Sequence, residues 1–256
     1  MAVTGAGRLW VVVPAYNEEQ WITPTLASLA AQRDRDFTLL VVDNASTDGT
    51  SATVRRFADA HPDLDLRVIR EDQKGTGAAC DTGMRHAIAN GATLLARTDA
   101  DCLAAPGWTA AARRAFQSGY EMVGGRLKAR TDDFRVTIPE RMLLASLFRI
   151  ASFTASLRPS LNGPEYLGRA MLIAGGNSAI TASLYERSGG YPRLAIEDDH
   201  EDRELMNRIR RITGAYGRCR DMVIYWSQRR TKAWGLWNTL SWYDNHGYRG
   251  AVVDVR

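Results

Sequence analysis

Gly91-Ala92-Thr93-Leu94-Leu95-Ala96-Arg97-Thr98-Asp99-Ala100-Asp101 is the stretch on which the fold turns. Residues 92–96 are short, apolar and entered from a glycine, which predicts a buried strand. At its C-terminal end stand two carboxylates, Asp99 and Asp101, with one residue between them. Ligands of an open parallel sheet bind outside the carboxyl ends of its strands. Two acids placed there can share a divalent cation with a phosphate, because Mg²⁺ prefers one or two carboxylates plus phosphate oxygens. By itself the pattern equally describes a strand end with two loop aspartates, so the surrounding chain decides.

Upstream, the same unit repeats. Leu9-Trp10-Val11-Val12-Val13 is a β-branched run closed by Pro14, and Ala15-Tyr16-Asn17-Glu18-Glu19 leads into a helix over 21–32. Residues 37–42 form a second strand, ended by a polar loop, Asp43 to Thr50, in which Asp48 reads as a helix N-cap. A helix over 51–61, a strand over 66–69, the loop Gly75-Thr76-Gly77 and a helix over 78–89 follow. Strand-helix alternation over the first hundred residues predicts a parallel, doubly wound sheet, with all four loops along one edge.

Downstream the pattern changes. Helices are expected over 108–117, 140–157, 184–189 and from the acidic cluster Glu197–Asp202 to about 212. Strands are expected over 121–128, after Gly175-Gly176-Asn177, and over 222–226. The chain is read as one domain, 1–256, with a first half to about 105, a second half over 106–226 and a tail from 227. Its 256 residues, 45% hydrophobic and 24% charged, suffice for one large core. Net charge is +4 without a basic block, so anionic substrates are as well suited as nucleic acid or a membrane surface. Three unpaired cysteines argue for a reduced compartment, and no basic region with a long apolar run opens the chain. A cytoplasmic protein without a transmembrane segment is expected, with peripheral membrane contact left open.

Quoted as they stand, VVVPAYNEE, VVDNASTDGT, KGTGAACDTGMRHA, RTDADC and EDRELMNRI together resemble the family 2 glycosyltransferases of the GT-A fold. The resemblance covers about residues 8 to 212. It implies an α/β fold whose mostly parallel, Rossmann-like half binds a nucleotide sugar and adjoins a mixed half that binds the acceptor. It implies transfer of one sugar from a nucleoside-diphosphate sugar, UDP-linked by family default, to a small-molecule, glycan or lipid-linked hydroxyl, and no nucleic-acid partner.

Each residue is chemically suited to the role so implied. Asp43 can accept from a uracil N3–H, the backbone at Pro14 and Ala15 can take the base's other edge, and Tyr16 can stack on the ring. Glu18 could reach the ribose. Lys74 could meet a phosphate or the base, with Gly77 beside the donor, although the glycine loop is no Walker motif, since the lysine precedes the glycines. Asp101, with Asp99, would hold Mg²⁺ or Mn²⁺ against the diphosphate. Asp202, or next Glu201, would take the acceptor's proton, as inversion requires a carboxylate opposite the leaving group. Shifting the acidic cluster's register would move that pair to Glu197-Asp198. His200 and His246 are alternative third metal ligands. In the tail rich in arginine and tryptophan, Trp234, Trp237 and Leu240 share helical spacing and are expected to dock on the core, while Arg229 is expected on a mobile segment that closes over the diphosphate. A retaining transferase, a nucleotidyltransferase and a silent nucleotide-sugar-binding module remain as alternatives.

Overall fold

The computed structural model of the chain describes residues 7–134, 157, 161–193, 201–235 and 238. One eight-stranded sheet organises them, in the order β3-β2-β1-β4-β7-β6-β8-β5. Its first four strands are β1 (Leu9–Ala15), β2 (Phe37–Asp43), β3 (Leu66–Arg70) and β4 (Leu94–Thr98), all parallel to one another. Then β7 (Asn177–Thr181) runs antiparallel to β4 and to β6 (Met122–Ala129). β8 (Tyr216–Trp226) is parallel to β6, and β5 (Leu103–Ala104) closes the edge antiparallel to β8.

Every residue of β1 is buried, as a parallel strand covered on both faces demands. Side chains alternate between those faces. Leu9, Val11, Val13, Leu39 and Val41 join one core with α1 (Ile22–Ala30), α2 (Thr50–Ala60) and α4 (Trp108–Gln117). Trp10, Val12, Leu40, Val42 and Leu95 join the other. That second core contains α3 (Thr76–Ala89), α5 (Ala182–Arg187) and α6 (Glu201–Arg210). Gly83 seats α3: a Cβ there would lie 2.5 Å from Val12 Cγ1 and 2.7 Å from Val42 Cγ2.

The topological switch lies between β1 and β4. From β1 the order runs outward through β2 to β3, whereas β4 sits on its other side. Ligands of such sheets bind at that crevice, and Ala15 and Thr98, the last residues of the two strands, flank it.

Three elements differ from expectation. β8 begins at Tyr216 rather than 222, because pairing with β6 extends a half that is largely exposed and therefore lacks an apolar signature. β5 is too short to show a period. The segment at Arg229 is a short helix, α7 (Arg229–Trp234), with Arg229 and Trp234 both buried, so its start is docked against the core. The helix expected over 140–157 falls outside the described residues except Leu157. Among the described residues no helix is long and apolar enough to cross a membrane.

Candidate active site

The ends of β1 and β2 are tied together first. Their last residues, Ala15 and Asp43, are register partners, and the Asn44 amide donates to the Ala15 carbonyl at 2.8 Å. Asp43 accepts from the Ser46 amide at 3.0 Å and from the Ser51 hydroxyl. Partial burial pushes its carboxyl up, but those donors, backed by Arg70, outweigh it and leave the pKa below its ordinary value. The loops after the two strands then clasp: the Asn17 amide donates to Ser46 Oγ at 3.0 Å, and Asn17 Oδ1 accepts from the Thr47 amide at 2.9 Å. Asn17 and Ala45 hold φ of 52° and 56°, a left-handed conformation that non-glycine residues adopt at a cost. The N-cap of α2 is Gly49 rather than Asp48 as read from sequence; Asp48, one residue ahead, accepts from the Thr50 amide at 3.0 Å in a local turn.

A third loop joins from β3. Asn44 Nδ2 donates to the carbonyls of Glu71 and Gln73, and its Oδ1 accepts from the Gly75 amide at 2.8 Å. Lys74 thereby comes over Tyr16, with Nζ 5.2 Å from the ring centroid and 3.4 Å from the hydroxyl. Gly77 packs closely: a Cβ there would lie 2.2 Å from the Pro192 carbonyl oxygen, which by itself accounts for the glycine. Asp81, in the following turn, accepts from the Tyr185 hydroxyl at 2.9 Å and pairs with Arg85 and Arg193.

Asp99 and Asp101 follow β4, and two arginines hold them. Arg97, only 3% exposed in its side chain, sends Nη2 to Asp99 Oδ1 and Glu201 Oε1, both at 3.3 Å, and Nη1 to Asp202 Oδ1 at 3.0 Å. Arg229 reaches Asp101 Oδ2 with Nε at 3.2 Å and grips both carboxylate oxygens of Glu18. Glu18 is therefore a buried partner of Arg229, which differs from the expected reach toward a ribose. Burial pushes its carboxyl up to about 7, with Arg229 opposing and Asp101 and Asp99 adding to the shift. Arg130 Nη1 donates to the Asp101 carbonyl at 2.6 Å and steadies the turn.

Glu201 and Asp202 open α6, where the helix dipole favours acids. Asp202 Oδ2 accepts from the Gly175 amide at 2.8 Å. Burial pushes its carboxyl up to about 7; Arg97 and the Gly175 amide oppose that, while Glu201 and Asp99 add to it. The alternative pair Glu197-Asp198, and His200 and His246, lie outside the described residues.

Among the described residues no group of three His, Cys, Asp or Glu side chains could hold a metal. Asp99 and Asp101 are two oxygen donors at the switch point, which suits a hard cation that takes its remaining ligands from a diphosphate. Sequence reading missed Arg97, whose signal was a lone cation inside an otherwise apolar strand next to two acids.

Comparisons with known proteins agree on the frame. A family model described as glycosyl transferase family 2 matches residues 10–186. Glycosyltransferase AglE of Haloferax volcanii is 33% identical over 121 residues, 46% of this chain and 38% of that protein. Polyprenol monophosphomannose synthase of Mycolicibacterium smegmatis is 33% identical over 99 residues, 39% of this chain and 37% of the synthase. Among solved structures, a mannosyltransferase from Pyrobaculum calidifontis in complex with GDP-Man and Mn²⁺ superposes with a TM-score of 0.62 at 28% identity, over 87% of this chain and 57% of that one. The chain thus spans about two fifths to three fifths of the length of these relatives. Asp202 and Arg229 lie beyond the stretch that the family model matches.

Proposed function

The chain belongs to glycosyl transferase family 2, and from that premise we propose that it moves one sugar from a nucleoside-diphosphate sugar to a hydroxyl acceptor with inversion at the anomeric carbon. Its fold is the GT-A fold. The reading rests chiefly on one observation: Asp99, of the acid pair after β4, and both acids that open α6 converge on Arg97 at the end of β4.

In this reading Asp43, Tyr16, Lys74 and the backbone of Pro14 and Ala15 receive the base, with Gly77 in the first turn of α3 nearby. Asp99 and Asp101 would hold Mg²⁺ or Mn²⁺, which when bound neutralises charge building on the departing diphosphate. Asp202 takes the acceptor's hydroxyl proton as that oxygen bonds to the anomeric carbon. The bond from that carbon to the diphosphate oxygen breaks, and its electron pair leaves with the nucleoside diphosphate. A carboxyl titrating near 7 suits this task, because a base works best with a pKa close to the operating pH. Glu201, beside it, is the second candidate. Arg229 balances Glu18 and Asp101 at the diphosphate end.

Uridine is the first expectation for the nucleotide. A guanosine donor is the second, favoured by the mannosyltransferase described with GDP-Man. A lipid-linked acceptor is consistent with the relative named as a polyprenol monophosphomannose synthase.

Asp202→Asn tests the core of the reading. The variant should keep donor affinity and lose about 10²–10⁴-fold in turnover, the usual contribution of a general base. The wild-type product should carry the anomeric configuration opposite to the donor's. Full turnover in the variant, or retained configuration, would return Asp202 to acceptor binding.

A further inference from the structure

Arg97 is a planar cation buried at the end of β4, and three of the acids invoked above converge on it. Nη1 meets Asp202, and Nη2 meets both Asp99 and Glu201. The guanidinium lies 5.2 Å from the centroid of the Tyr191 ring. Its Nε is buried with no hydrogen-bond partner among the described residues. Here the fork is oriented for the acids at the expense of Nε.

The backbone opposite is shaped to match. A Cβ on Gly175 would lie 2.1 Å from Asp202 Oδ1 and 2.5 Å from Arg97 Nη1. A Cβ on Gly176 would lie 2.2 Å from Asp99 Oδ2. The two glycines therefore leave room for one carboxylate each, and the Gly175 amide holds the second oxygen of Asp202. Asp202 is fixed through both oxygens, by Arg97 on one and Gly175 on the other.

We propose that Arg97 is a positioning residue that sets the orientation of Asp202 relative to Asp99, with Gly175-Gly176 as the cradle that admits both carboxylates. This rests on Asp202 acting as the base. One rigid guanidinium spans the donor end and the acceptor end of the reaction, so the base's line of approach is referred to the acid that faces the diphosphate. Arginine suits this span because its fork makes several fixed hydrogen bonds at once, whereas a lysine ammonium makes a point contact.

Two independent substitutions separate this role from simple support of the fold. Arg97→Lys keeps the buried charge and loses the fork. Gly175→Ala keeps every charged group and drives a methyl between Arg97 and Asp202. Both should lower kcat roughly a hundredfold, the order of loss that a displacement of about 1 Å produces. Both variants should remain folded at the assay temperature, and Gly175→Ala, which leaves the contact of Arg97 with Asp99 in place, should keep the dissociation constant of UDP with Mn²⁺. Placed on Asp202→Asn, neither should cost anything further, because there is no base left to misplace.

Wild-type kcat in either variant, with Asp202→Asn inactive, would overturn the positioning role and leave the base in place. Loss of nucleotide binding and of thermal stability in step with kcat, in both variants, would reduce Arg97 to a structural ion pair. An active Asp202→Asn would instead remove the base reading on which the inference stands.

Discussion

Two carboxylates in the site, Asp202 and Glu18, are pushed up to about 7, and they are not equivalent. Glu18 has both oxygens gripped by Arg229, whereas the Asp202 side chain is 31% exposed and so accessible to an acceptor. Asp202 must be ionised to accept a proton, and its raised pKa moves that requirement into the neutral range. The charged groups facing it are Arg97, Glu201 and Asp99. Turnover should therefore fall about tenfold for each pH unit below about 7. A kcat profile, read with donor saturating, checks this; an acid limb near 4 would mean that Asp202 titrates as an ordinary solvated carboxyl. At this scale the sequence exposed the acids and hid their partners. RTDAD displays two aspartates in any register, but that Arg97 points at Asp202, 105 residues away, is a product of the sheet.

At the scale of elements, the docked α7 changes the meaning of the C-terminal arginines. Trp234 and Arg229 are buried, and Arg229 bridges the loop after β1 to the loop after β4. The helical spacing of the tryptophans pointed to docking, and only the segment near Arg229 was read as mobile; the ion pair that anchors that segment is invisible without the fold. Breaking a buried pair leaves an uncompensated charge, which costs about 3–5 kcal/mol. Arg229→Ala should destabilise the protein by that order, and the added change Glu18→Gln should recover much of the loss. Thermal unfolding of the two variants decides the matter. Equal stability of the single and double variants would show that Glu18 is not held as an ion. Strands β1, β2 and β4 were legible because both faces are buried and the apolar run is continuous, whereas β8 was half hidden by its exposed first residues.

For the whole molecule, one sheet carries two kinds of work. Its parallel side sets Lys74 over Tyr16 and Ala15 level with Asp43, where the proposed base would sit, and the antiparallel turn at β7 places Gly175-Gly176 beside the acids. Binding at both places should be visible as stability. A ligand that binds only the folded state contributes about 2.7 kcal/mol at a hundredfold excess over its dissociation constant. For a chain of this size each kcal/mol is worth about 2–4 °C in unfolding temperature. A panel of UDP-, GDP- and dTDP-sugars, each with and without Mn²⁺, should thus produce one large shift that depends on the metal. Asp101→Ala should remove the metal-dependent part and keep a smaller metal-free shift. Asp43→Ala should weaken binding by roughly 1.5–3 kcal/mol, as the loss of a charge-assisted hydrogen bond does, while the metal dependence stays. An unchanged shift in Asp43→Ala would confine that carboxylate to its contacts with Ser46 and Ser51. Metal dependence surviving in Asp101→Ala would move the cation away from the acids after β4, and with it the diphosphate.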